Sequence, residues 1–303
     1  MTAAPGARFL DPKALARIDD LELLARTVVE GFINGLHRSP YLGQSVDFAE
    51  HRAYMPGDDI RRVDWRLFAR TDRFYVKEFE ADSNSNFMVL LDVSRSMRFS
   101  SHGVSKLDYG RMLAACLTHF AHRQRDRVGL VTFDEDVVDF VPPSAKHRDA
   151  VLHALDRLEG PGRPGRLAGP LLKAAESSRR RGMLAVISDL YEDPADVLKA
   201  ARQLAWRGSD VMVFHVLDPA ERHFPYEESA TWVDAESGEK MPVIPSYVRD
   251  EYRRLVGEHV EALGRRLGES RIDYALLDTA TPLDEALFHY LSRRERLGKV
   301  RRG

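Results

Sequence analysis

Cysteine is almost absent from this chain. Cys116 stands alone among 303 residues, so no internal disulfide can close, and a reducing compartment fits. It lies in a helical pattern beside Leu113 and Leu117, the setting of a buried structural thiol and not of a nucleophile. Long apolar runs are missing as well. Nothing approaches the ~20 consecutive apolar residues of a membrane span, and residues 1–8 hold no apolar core of signal-peptide length. The expectation is a cytoplasmic protein. Neither sign of charge dominates: Lys and Arg number 45 against 47 Asp and Glu, a formal net charge of −2. That balance gives no bulk attraction to nucleic acid or to an anionic membrane. The basic clusters at 179–181 and 293–302 fall near helix ends, where cations suit the helix dipole. H-E-x-x-H, C-x-x-C, the G-x-x-x-x-G-K-[ST] phosphate loop and the G-x-S-x-G elbow are all lacking. No nucleotide is expected to bind, and any ATP hydrolysis belongs to a partner.

What is present reads as an ordinary globular chain, 44% apolar and 30% charged. Its centre is the stretch from Phe87 to Met97. Five apolar residues in a row demand a strand buried on both faces, and the run ends on Asp92, with Ser94 and Ser96 two and four positions on. Ligands of open α/β sheets bind at the carboxyl ends of strands, and three oxygen donors on one loop suit a hard divalent cation. Asp after a strand also starts turns, and Ser caps helices.

The flanking pattern alternates strand and helix. Helices are predicted over 105–123, 147–158, 171–181 with Gly182 as C-cap, from Asp193-Pro194, over 252–267, and from Pro282. Strands are predicted at 127–133, 137–141, 183–187, 211–217 and 272–277. The short Asp134-Glu135-Asp136 turn makes one pair antiparallel. The strand at 183–187 ends in Ser188-Asp189, a second carboxylate at a carboxyl end. The fold class is therefore α/β, a mostly parallel sheet with helices on both faces and one antiparallel edge strand, and right-handed crossovers bring Asp92 and Asp189 to one rim. Residues 1–86 form an N-terminal helix and appendage, 87–303 the main domain, with an excursion at 218–245.

Within the appendage, residues 45–80 interleave charges and aromatics. Such a segment is either a recognition surface or, the reading favoured here, a lattice of Arg–carboxylate pairs that ties it to the domain.

Asp92, Ser94 and Ser96 resemble the D-x-S-x-S loop of the von Willebrand factor A fold, and Asp189 resembles its late metal-site Asp. The resemblance implies a metal-ion-dependent adhesion site holding Mg²⁺ or Mn²⁺. Where that fold supplies a Thr, this chain has Arg166, which removes a ligand and leaves occupancy open. Upstream, Tyr54, Pro56, Gly57, Asp58, Asp59, Arg61, Asp64, Trp65, Arg70 and Lys77 carry a segment similar to the signature of the domain of unknown function 58 family, in which it precedes a von Willebrand A-like domain. That family resemblance implies a non-enzymatic adaptor acting with a MoxR-type AAA+ ATPase on client proteins. The competing enzyme reading makes Asp92 the nucleophile of a haloacid-dehalogenase-like, Mg²⁺-dependent phosphatase, but Ser94 stands where that chemistry needs a second carboxylate.

Overall fold

Strands that are apolar along their whole length need cover on both faces, and this chain supplies it by alternating them with amphipathic helices. The structure, a computed structural model, describes residues 12–37, 51–53, 74–77, 85–158, 162–177, 182–206, 208–234 and 237–287. In chain order these give helices α1 (Pro12–Leu15) and α2 (Leu21–His37), a small antiparallel pair β1 (His51–Ala53) and β2 (Tyr75–Lys77), and β3 (Asn86–Asp92). There follow α3 (Lys106–Arg123), β4 (Arg127–Phe133), β5 (Val137–Ser144), α4 (Arg148–Asp156), α5 (Ala168–Ser177) and β6 (Gly182–Ser188). The remainder is α6 (Pro194–Trp206), β7 (Asp210–Leu217), α7 (Pro219–His223), β8 (Ala230–Val233), β9 (Lys240–Val243), α8 (Pro245–Glu269) and β10 (Asp273–Asp278).

Six of the strands make one sheet in the order β10-β7-β6-β3-β4-β5. All neighbours run parallel except β5, which returns antiparallel on β4 through the Asp134–Asp136 turn. Period-two alternation sends Phe87, Val89 and Leu91 of β3 to a core shared with α2, α3 and α4. Met88 and Leu90 go to the opposite face, against α5, α6 and α8. Each such side chain contributes about 1.5–3 kcal/mol by leaving water. On the first face Gly110 lets α3 settle on the sheet, since a Cβ there would lie 2.9 Å from Leu91 Cδ1. Helix α2 buries Leu24, Ala25, Val28, Val29 and Phe32 in that same cluster, so the N-terminal helix is part of the main core rather than of an appendage.

The predicted elements recur with shifted ends. Gly182 is not a C-cap but the first residue of β6, where a Cβ would fall 2.2 Å from Asn86 O of the neighbouring strand. Helix α8 starts at Pro245 and spans 25 residues, well before Tyr252, and runs through Gly268. The excursion at 218–245 resolves into α7 and the β8–β9 hairpin, closed by Phe224, Tyr226, Trp232 and Tyr252 packing ring on ring. Tyr54, Pro56, Gly57, Asp58, Asp59, Arg61, Asp64, Trp65 and Arg70 lie outside the described residues; Lys77 ends β2. No helix among the described residues is long and apolar enough to cross a membrane.

Candidate functional site

The chain leaves β3 for β4 on one side and later returns as β6 on the other, so the strand order reverses between β3 and β6. That switch point opens the crevice in which α/β proteins bind ligands. Asp92 ends β3, and Ser188-Asp189 closes β6 beside it, so the two carboxylates share one rim as the sequence predicts. Val93 N–H carries the ladder one step further onto Phe133 O at 2.7 Å.

Asp92 is 4% exposed and has its partners in place. Ser94 N–H donates to Oδ1 at 2.9 Å, and Ser188 Oγ donates to Oδ2 at 2.6 Å. Burial, then the charge of Asp189, push its carboxyl up to about 7, against the hydrogen bonds from Ser188 and Ser94. The hydroxyls of Ser94 and Ser96 lie 3.2 Å apart. All four predicted donors therefore gather at the rim.

A third loop covers them. Arg95 N–H donates to Arg163 O at 3.0 Å, and Gly162 sits at φ +67° with no room for a Cβ, which would meet Val93 O and Arg95 N at 2.9 Å. Gly165, not Arg166, packs on Ser94: a Cβ at 165 would lie 3.1 Å from Ser94 Cβ. Arg166 donates its backbone N–H to Asp134 O at 3.1 Å and holds its side chain exposed. It is thus a surface cation over the rim and not a substitute ligand among the donors.

Sequence reasoning missed the residue that dominates the charge balance. Lys106, the first residue of α3, is fully buried, and its ammonium donates to Asp189 Oδ2 and to Glu221 Oε1, both at 2.7 Å. It also lies 4.6 Å from the ring centre of Tyr191. Burial lowers its pKa, but Asp189 and Glu221 outweigh that and leave it above its ordinary value. A cation opposes the dipole at a helix N-terminus, so its contacts, not the helix, account for it there. Glu221 is fixed in turn by a capping box, with its Oε2 on Asp218 N–H at 2.9 Å and Asp218 on Ala220 N–H at 2.8 Å. The sequence Asp218-Pro219-Ala220-Glu221 spells that box and was the available signal.

The donor set does not fit a divalent cation in this arrangement. One oxygen of Asp189 is held by the Lys106 ammonium, and both oxygens of Asp92 already accept from Ser94 and Ser188. The Thr position is filled by a loop that offers Gly165 and an outward Arg166. Mg²⁺ keeps several waters but is anchored by one or two carboxylates, and those of Asp92 and Asp189 are engaged by the chain's own donors. The described residues contain no group of three or more His, Cys, Asp or Glu placed to hold an ion.

Comparison with known families decides the relationship. The family model described as protein of unknown function DUF58 matches residues 50–262. This chain belongs to the DUF58 family. Uncharacterized proteins Rv1480 of Mycobacterium tuberculosis and Mb1516 of Mycobacterium bovis are each 29% identical over 265 residues, covering 85% of this DUF58 chain and 82% of the relative. Among solved structures, BatB from Bacteroides thetaiotaomicron is 17% identical, over 69% of this chain and 98% of its own, at a TM-score of 0.48. The VWA domain of SpRpn10 is 10% identical, over 67% and 92%, at 0.40. At such scores the von Willebrand A-like description of this DUF58 member rests on its own sheet order and rim.

Proposed function

We propose that the chain is a non-enzymatic protein-interaction module, an adaptor that works with a MoxR-type AAA+ ATPase on client proteins, and that its rim between β3 and β6 is the contact surface. The observation that carries this reading is the rim itself. Three loops from β3, β6 and the connection before α5 are locked together at the switch point, yet their carboxylates are already satisfied by the chain's own donors. A rigid, internally satisfied loop platform suits recognition better than catalysis.

The phosphatase alternative finds less support. A nucleophilic carboxylate must be ionised and accessible, whereas Asp92 is buried, bonded at both oxygens and raised to about 7. Its +2 neighbour is Ser94, and Asp189 is committed to Lys106. The test is twofold. Affinity capture from the native host with the intact chain should recover an AAA+ ATPase that Asp92→Ala, which loosens the rim, fails to retain. Hydrolysis of p-nitrophenyl phosphate with Mg²⁺ should stay at background; turnover that Asp92→Ala abolishes would overturn the adaptor reading.

A further inference from the structure

The cations of the rim lie in two layers. Below, the Lys106 ammonium is buried between Asp189 and Glu221. Above, Arg95 and Arg166 expose their side chains, and Arg163 is 68% exposed. The backbone places these three arginines together. Arg95 and Arg163 are joined at 3.0 Å, and Gly165, one residue before Arg166, rests on Ser94.

The exposed layer is only partly paired. Among the described residues Arg95 and Arg166 enter no ion pair, and Arg163 has a solvent-exposed one at 3.3 Å to Glu135, of a kind worth little. The nearby carboxylates are held in place by the chain's own donors, but Glu192 and Asp193 keep their charge because those donors are backbone N–H groups. Asp136 pairs with Lys173, Glu192 accepts the Leu167 N–H, and Asp193 accepts Ala195 N–H at 2.7 Å. Arg166 acts on Glu192 only at longer range. Guanidinium groups present rigid forks that match carboxylates in bidentate fashion.

We infer that this rim docks an acidic segment of a partner protein through Arg95, Arg163 and Arg166, without a divalent cation between them. The inference rests on the interaction reading above and gives it a ligand chemistry. Lys106 neutralises from within the carboxylate that a bridging cation would otherwise have to satisfy, and the arginines take over the recognition of the incoming anionic group. Charge and loop position select the partner: a run of Asp or Glu side chains reaching into the β3–β6 crevice.

The experiment uses the full chain and a fluorescein-labelled hexaglutamate peptide, followed by fluorescence anisotropy, with no ATPase present. Saturable binding is expected, weakening as salt screens it and equal in EDTA and in excess Mg²⁺. Arg95→Glu/Arg166→Glu should weaken it by about tenfold or more, and the milder Arg95→Gln/Arg166→Gln should follow in the same direction should the reversal unfold the chain. Lys146→Glu/Arg271→Glu, at the opposite end of the sheet, should leave it unchanged. Absence of binding, equal binding by the rim variants, or binding that EDTA abolishes would each overturn the inference. Tighter binding of a single-stranded oligonucleotide, lost in the same rim variants, would overturn it in favour of nucleic acid. Since no ATPase enters this assay, its failure is separable from failure to capture one.

Discussion

Lys106 is the residue on which the charge of the rim turns. Its removal leaves Asp189 and Glu221 buried without their counter-charge, a loss on the order of 3–5 kcal/mol when a buried pair is broken. Lys106→Ala should therefore lower the urea midpoint markedly. Unlike the wild type, it should also regain stability on adding Mg²⁺ or Mn²⁺, because Asp189 and Glu221 then lack their ammonium and Asp189 lies beside the charge of Asp92; thermal melts with and without EDTA check both. Asp92 gives a prediction of opposite sign. Its folded pKa of about 7 exceeds the ordinary 3.8, so its contribution is fully present below about pH 4 and is lost as pH rises through 7. Asp92→Asn escapes that loss, and denaturant unfolding should find it more stable than the wild type at pH 8 but not at pH 4. The carboxylates were legible because each ends an apolar run. Lys106 was not: its partners lie 83 and 115 positions away, and a lysine in a helical stretch looks like any solvated one.

At the scale of elements, β6 depends on a missing side chain. Gly182→Ala would drive a Cβ into Asn86 O, a backbone atom that cannot step aside, and should cost about 2 kcal/mol or more at the pairing of β6 with β3. Chemical denaturation of that variant, beside Gly169→Ala where nothing lies within 4 Å, measures the difference. Glycine after a basic run reads as a helix stop, which is why sequence pattern misplaced it; close approach between strands leaves no local mark. Helix α8 teaches the same point. Pro245 at its first turn is a start signal, but it sits in a Pro- and Glu-rich stretch that masks it. Strands β3, β4 and β6 were readable almost to the residue, because a run buried on both faces has no competing pattern.

For the whole molecule, the alternation of strands and helices dictated a mostly parallel sheet, and the short Asp134–Asp136 turn dictated its one antiparallel edge. The order of strands was not written locally. It follows from crossover handedness, which places the reversal between β3 and β6 and so brings together two acids 97 residues apart in sequence, Asp92 and Asp189. The family signature from Tyr54 to Lys77 was legible as a motif and agrees with the match over residues 50–262. The central claim is that the β3–β6 rim is where this molecule meets its partner. Its most direct test is surface plasmon resonance of the immobilised chain against a purified MoxR-type ATPase from the native host, comparing wild type with Arg95→Glu/Arg166→Glu at matched melting temperature. The account predicts an affinity weaker by about tenfold or more for the variant; equal affinities, or an ATPase that ignores the wild type, would contradict it.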